Sequence, residues 1–153
     1  MLNVKAKKLS DTAILPTYGS KKAAGMDLYA DLKGCRETYI ESGETKKIGC
    51  GFAFQPPEGY VGLIFARSGL ATKQGLRPAN CVGVCDEDYT GEYIIAMHND
   101  NPYDGNFEQY EIIKHGDRIA QLMFIPYEQA NLILDDELDS TERGDGGFGS
   151  TGV

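Results

Sequence analysis

The chain has 153 residues, enough for one ordinary domain and few for two. Lys and Arg number 15 against 23 Asp and Glu, a formal charge of −8 that argues against nucleic acid as a partner, since general binding to it needs a basic surface. No stretch approaches the ~20 apolar residues of a membrane span, and no apolar signal core follows the first charges, so membrane insertion and secretion are not expected.

Short apolar or alternating segments bounded by Gly, Pro, Asn or Asp run along the chain and predict strands. They cover residues 3–8, 26–31, 45–54, 60–66, 81–85, 92–99, 107–113, 118–126 and 131–134. Pro56-Pro57-Glu58-Gly59 and Asn99-Asp100-Asn101-Pro102 are turn signals. Residues 69–75 predict about two helical turns, with Ser68 as N-cap and Gly75 as C-cap. Asp88-Tyr89-Thr90-Gly91 links two predicted strands and suggests a hairpin. Many short strands in one small domain indicate an all-β sandwich or closed barrel.

Residues 140–153 differ from the rest, with five glycines and two apolar residues. Such a stretch cannot bury a core and reads as a mobile arm. The expected division is a body over residues 1–139 and an arm over residues 140–153.

The four cysteines, Cys35, Cys50, Cys81 and Cys85, form no C-x-x-C pair, and His98 and His115 are the only histidines. Zinc would need more ligands at metal spacing, so the cysteines are expected as small apolar core residues and the histidines as structural or surface residues. Reduced thiols without a signal suggest an intracellular, cytoplasmic protein.

Glycine is in excess, 19 of 153, and much of it falls in five clusters. Residues 23–30 form the first, with Gly25 and Asp27. Arg67-Ser68-Gly69, at a predicted helix start, is either an anion site or an ordinary cap with a surface arginine. Residues 83–92 place Asp86, Glu87, Asp88 and Tyr89 near a turn, as solvated turn formers or as a carboxylate that polarises a water. In Gly116-Asp117-Arg118-Ile119-Ala120-Gln121, strict alternation sets Arg118 and Gln121 on opposite faces. Both can serve one ligand only through a bulge, a backbone contact or a subunit boundary. The fifth cluster, residues 143–152, could wrap phosphates with Arg143, Ser150 and Thr151 and stack Phe148 on a planar ring, or it is an idle tail.

In this order, the five clusters resemble the five motifs of the trimeric dUTP diphosphatases, over about 85% of the chain from Ala23 to Gly152. The resemblance implies a jelly-roll-like β-barrel with one short helix, and a homotrimer with active sites at subunit interfaces. It implies hydrolysis of dUTP to dUMP and pyrophosphate, which limits dUTP and supplies dUMP for thymidylate synthesis. It implies Mg²⁺ held by substrate phosphates and waters rather than directly by protein, with Asp27 nearby. By residue, it makes Asp86 the carboxylate that activates water and Tyr89 the ring against the deoxyribose. Asn80 and backbone around Val84 would read uracil. Arg67, Ser68, Gly69, Gln121, Arg143, Gly149, Ser150 and Thr151 would hold phosphates, and Phe148 would cover the base. Departures are Ala66, Cys85 and Met26, none of which removes a polar role. A deoxycytidine triphosphate deaminase of the same fold and a jelly-roll interaction protein with a nucleotide pocket are the rival readings.

Overall fold

The structure, a computed structural model, describes residues 2–103, 105 and 110–147. Two sheets face each other. The first has the order β1-β5-β9-β7, from β1 (Lys5–Lys8), β5 (Thr45–Gln55), β9 (Glu92–Asn99) and β7 (Leu76–Pro78). The second has the order β2-β3-β11-β6-β8, from β2 (Thr17–Tyr18), β3 (Met26–Tyr29), β11 (Arg118–Pro126), β6 (Tyr60–Ala66) and β8 (Val82–Cys85). A separate ribbon pairs β4 (Glu37–Glu41) with β10 (Tyr110–Lys114). All pairings are antiparallel.

The period-two pattern explains the faces. Along β9, Tyr93, Ile95, Met97 and Asn99 are buried, while Ile94 is exposed. Leu28 of β3 and Ala120 and Leu122 of β11 meet them from the opposite sheet. Each fully buried Leu or Ile contributes about 1.5–3 kcal/mol of transfer free energy. The all-β, jelly-roll-like class expected from the sequence is the class observed, with one short helix, α1 (Ser68–Gln74).

Several local expectations change. β2, β4 and β7 do not stand out in the sequence: β2 and β4 bury little, with Ile40 the one buried residue of β4, and β7 buries Leu76 and Pro78 but is only three residues long, too short to show a period. Conversely, no strand forms at residues 131–134, where Leu132, Ile133 and Leu134 are almost wholly exposed. This short apolar run finds no surface to bury against among the described residues. Ser68 is not the N-cap. Arg67 takes that place in extended geometry without a side-chain cap bond, and Ser68 is already helical. Gly75 does close the helix, in the left-handed region at φ 64°.

The cysteines are only partly core. Cys50 is buried, and burial pushes its thiol up to about 11. Cys35 and Cys81 are exposed, and Cys85 is half-buried. The histidines are structural: His115 Nδ1 accepts the Leu32 amide at 3.3 Å, and His98 Nδ1 lies 2.8 Å from Thr45 Oγ1. Among the described residues, no helix is long and apolar enough to cross a membrane.

Candidate active site

A buried carboxylate organises the first part of the site. Asp27 sits on β3 with only 4% of its surface exposed. A charge this deep needs partners. Arg67, where β6 passes into α1, donates from Nε to Asp27 Oδ1 at 3.1 Å and from Nη1 to the Arg118 carbonyl at 2.9 Å. Arg118 Nη1 donates to Asp27 Oδ2 at 3.1 Å, and Gln121 Nε2 approaches Oδ1 at 3.4 Å.

Arg118 and Gln121 therefore reach one carboxylate although they are three apart on a strand. The cause is a bulge. On β3, Tyr29 pairs with Arg118 and the next residue back, Leu28, pairs with Ala120, so Ile119 is the extra residue. One inserted residue restores a common side. Of the three routes open in the sequence, the structure takes the bulge. Ser68 and Gly69 are exposed beside Arg67, and a Cβ at Gly69 would meet nothing within 4 Å.

The same geometry bears on a metal. Both Asp27 oxygens are engaged by side chains, and among the described residues no group of three His, Cys, Asp or Glu could hold an ion. The residues here fit an ion that takes its oxygens from a bound phosphate chain and water.

A second cleft, of about 290 Å³, opens between β8 and β9. Asn80, Gly83, Val84, Asp86, Tyr89 and Tyr93 contribute to its lining. That volume lies near the lower end of small-molecule sites, about 300 Å³, so it suits a nucleoside better than a whole triphosphate.

The flanking segments do not form the expected hairpin. β8 pairs with β6 in one sheet, whereas β9 pairs with β5 and β7 in the other. Residues 86–91 thus cross between sheets, and they are anchored by Glu87 Oε2, which accepts the Gly59 amide at 2.6 Å. The crossing leaves Asp86 at the mouth of the cleft. Its side chain is exposed and makes no hydrogen bond or ion pair among the described residues, with the Cys85 and Tyr127 side chains as electrostatic neighbours. The Asp86 carbonyl accepts the Tyr89 amide at 3.1 Å.

Tyr89 is tightly placed for an exposed ring. Its Oη donates to the Glu92 carbonyl at 2.9 Å. The ring passes so close to Gly91 that an added Cβ would lie 2.6 Å from Oη and 2.7 Å from Cζ. Beneath it is Tyr93, stacked at 6.1 Å. Tyr93 was not singled out in the sequence. Its inward phase on β9 was readable, but its place under Tyr89 depends on the crossing loop. Beside Tyr93, burial raises the Cys85 thiol to about 11.

The two clusters remain apart. Arg67 and Arg118 line a different cleft of about 590 Å³, which shares no residue with the first. Arg143 joins neither among the described residues; its Nε donates to the Gly146 carbonyl at 2.8 Å, within its own segment. Phe148, Gly149, Ser150 and Thr151 lie outside the described residues.

Comparison with known proteins places this arrangement. The dUTPase family model matches residues 11–152. A deoxyuridine 5'-triphosphate nucleotidohydrolase of Desulfitobacterium hafniense is 48% identical over 140 residues, covering 91% of this chain and 87% of that protein. Its counterpart in Nautilia profundicola is 43% identical over 151 residues, covering 99% of both. Among solved structures, a mutant Staphylococcus bacteriophage 80alpha dUTPase with dUpNHpp superposes with a TM-score of 0.83 at 30% identity, covering 99% of both chains. A mutant dUTPase from phage phi11 of S. aureus, described with a structural Mg(II) ion, gives 0.79 at 25% identity, covering 90% of this chain and 99% of that one.

Proposed function

The chain belongs to the dUTPase family and hydrolyses dUTP, and from that premise we propose how its residues divide the work. The reaction is dUTP plus water giving dUMP plus pyrophosphate. Water attacks the α-phosphorus, the bond to the bridging oxygen breaks, and pyrophosphate leaves. Asp86 takes the proton from the attacking water. One observation carries this reading: Asp86 is an exposed carboxylate that makes no hydrogen bond or ion pair among the described residues, beside an anchored aromatic ring at the mouth of a nucleoside-sized cleft.

Tyr89 packs against the deoxyribose and leaves no room for a ribose 2′-hydroxyl. Asn80 and the backbone around Val84 read uracil, where a mismatched base leaves buried polar groups unpaired. Arg67, Ser68, Gly69 and Gln121 bind the phosphates. Open space over Gly69 supports a close backbone approach by an anion. Mg²⁺, held by the substrate's phosphate oxygens and water with Asp27 nearby, would supply positive charge to the triphosphate, which a chain of net charge −8 must otherwise meet with local arginines and amides.

The two separate clefts support a homotrimer in which the Arg67 cluster of one subunit meets the Asp86 cleft of another. Residues 140–153 then act as an arm that closes over the assembled site, with Arg143, Gly149, Ser150 and Thr151 on phosphate oxygens and Phe148 over the base. The test is pyrophosphate release with Mg²⁺ from dUTP, dTTP, dCTP and UTP, paired with a solution mass. Release from dUTP alone, by a trimer, is the expected outcome. Equal rates on all four nucleotides would overturn the specificity assignments, and an active monomer would overturn the shared site.

A further inference from the structure

We propose that Tyr93 is a positioning residue for sugar discrimination: its buried ring sets the plane of the exposed Tyr89 ring. The proposal rests on the reading of Tyr89 as the sugar platform.

Tyr89 lies outside the sheets, in the crossing loop, and is 45% exposed. A tyrosine in such a loop ordinarily samples several rotamers. Here three contacts restrict it. The Glu92 carbonyl accepts its hydroxyl at 2.9 Å, which fixes the far end of the ring. Gly91 supplies space below its edge. Neither contact fixes rotation about the long axis of the side chain, which is the rotation that decides whether a face or an edge meets the sugar. Only a flat neighbour can set it.

Tyr93 is that neighbour. Its ring is 6.1 Å from Tyr89, centre to centre, at 28° between planes, within the range of offset stacking. Tyr93 is itself immobilised. It is 1% exposed and meets Phe54 edge to face at 4.9 Å and 68°. Phe54 is held in turn by Phe124 at 6.2 Å and by Phe52 at 6.0 Å. A chain of rings thus runs from the core of the sandwich to the cleft mouth.

The ring carries this role, not the hydroxyl. Tyr93 Oη is buried, makes no well-formed hydrogen bond among the described residues, and has the half-buried Cys85 thiol as its polar neighbour. It packs over Gly62, where a Cβ would stand 2.9 Å from it. A buried hydroxyl with only a weak thiol partner returns little of its desolvation cost. Phenylalanine would present the same face without it.

The test compares kcat/KM for dUTP with kcat/KM for UTP in Tyr93→Leu, Tyr93→Met, Tyr93→Phe and Tyr89→Leu. A purely structural defect lowers the active fraction equally for both substrates and cancels in the ratio. Leu and Met keep the site apolar but remove the flat face, and Met fills irregular space well. Both are expected to lower the dUTP-to-UTP ratio by about tenfold or more, while Phe retains it. An unchanged ratio in Tyr93→Leu and Tyr93→Met, alongside a lowered one in Tyr89→Leu, overturns the role of Tyr93. A lowered ratio in Tyr93→Phe assigns the effect to the hydroxyl and overturns it equally. An unchanged ratio in Tyr89→Leu overturns the platform reading itself.

Discussion

Arg67 Nε donates to Oδ1 of the buried Asp27 at 3.1 Å, so the arginine at the start of the helix is aimed by a carboxylate on the opposite side of its sheet neighbour β11. The pair is one arm of a fork, because Arg118 holds the other oxygen at the same distance. Asp27→Asn removes the charge and leaves two arginines without their shared anion. It should raise KM for dUTP more than it lowers kcat, and destabilise the fold by about 2 kcal/mol, given partial exposure of both arginines. Steady-state kinetics and urea unfolding check the two halves. Unchanged KM would detach Asp27 from phosphate binding.

Asp86→Asn keeps the size and removes the proton acceptor. Turnover should fall by about 10²–10⁴-fold, with dUTP binding retained. Isothermal titration with a non-hydrolysable analogue, beside kcat, separates the two. A wild-type kcat would remove Asp86 from the chemistry.

Two glycines should respond oppositely to alanine. Gly69 faces open space, so Gly69→Ala should leave thermal unfolding unchanged while raising KM. At Gly91 the added Cβ would fall 2.6–2.9 Å from Tyr89 ring atoms, so Gly91→Ala should displace that ring and weaken sugar discrimination. Melting curves and the dUTP-to-UTP ratio distinguish the cases.

The thiols rank themselves by exposure and burial. Burial raises the Cys85 thiol to about 11, so it stays protonated below that pH, with a thiolate fraction near neutrality on the order of 10⁻⁴. Cys50 is raised equally and sits in the core. Alkylation at pH 7.5 followed by peptide mass analysis should therefore mark Cys35 and Cys81 first. Cys85 labelling should accelerate as pH rises toward 11. Early labelling of Cys85 would contradict its burial.

Removal of residues 143–153 should abolish most activity and leave the melting temperature nearly unchanged. Among the described residues, Arg143 bonds only within its own segment, to Gly146, and residues 142–145 are exposed. A large loss of stability would make this segment structural.

The sequence by itself determined much of this protein. Period-two runs bounded by turn residues specify strands such as β5, β6, β9 and β11, because alternation across a half-buried strand is a local property. Gly75 closes the helix as its place after the helical stretch predicts, and Gly91, from the third glycine cluster, lies beneath Tyr89. The polar residues of the clusters are legible as a pattern in the sequence alone. Only the tertiary structure decided which of them meet. Strict alternation separated Arg118 from Gln121, and a single bulged residue, Ile119, reunited them on Asp27. The residues around Tyr89 read as a hairpin, but pairing across the sandwich sent β8 and β9 into different sheets and put Tyr93 under the ring. Local pattern fixes which face a side chain takes; which other face it meets is set by long-range register, and that is a property of the packed sheets alone.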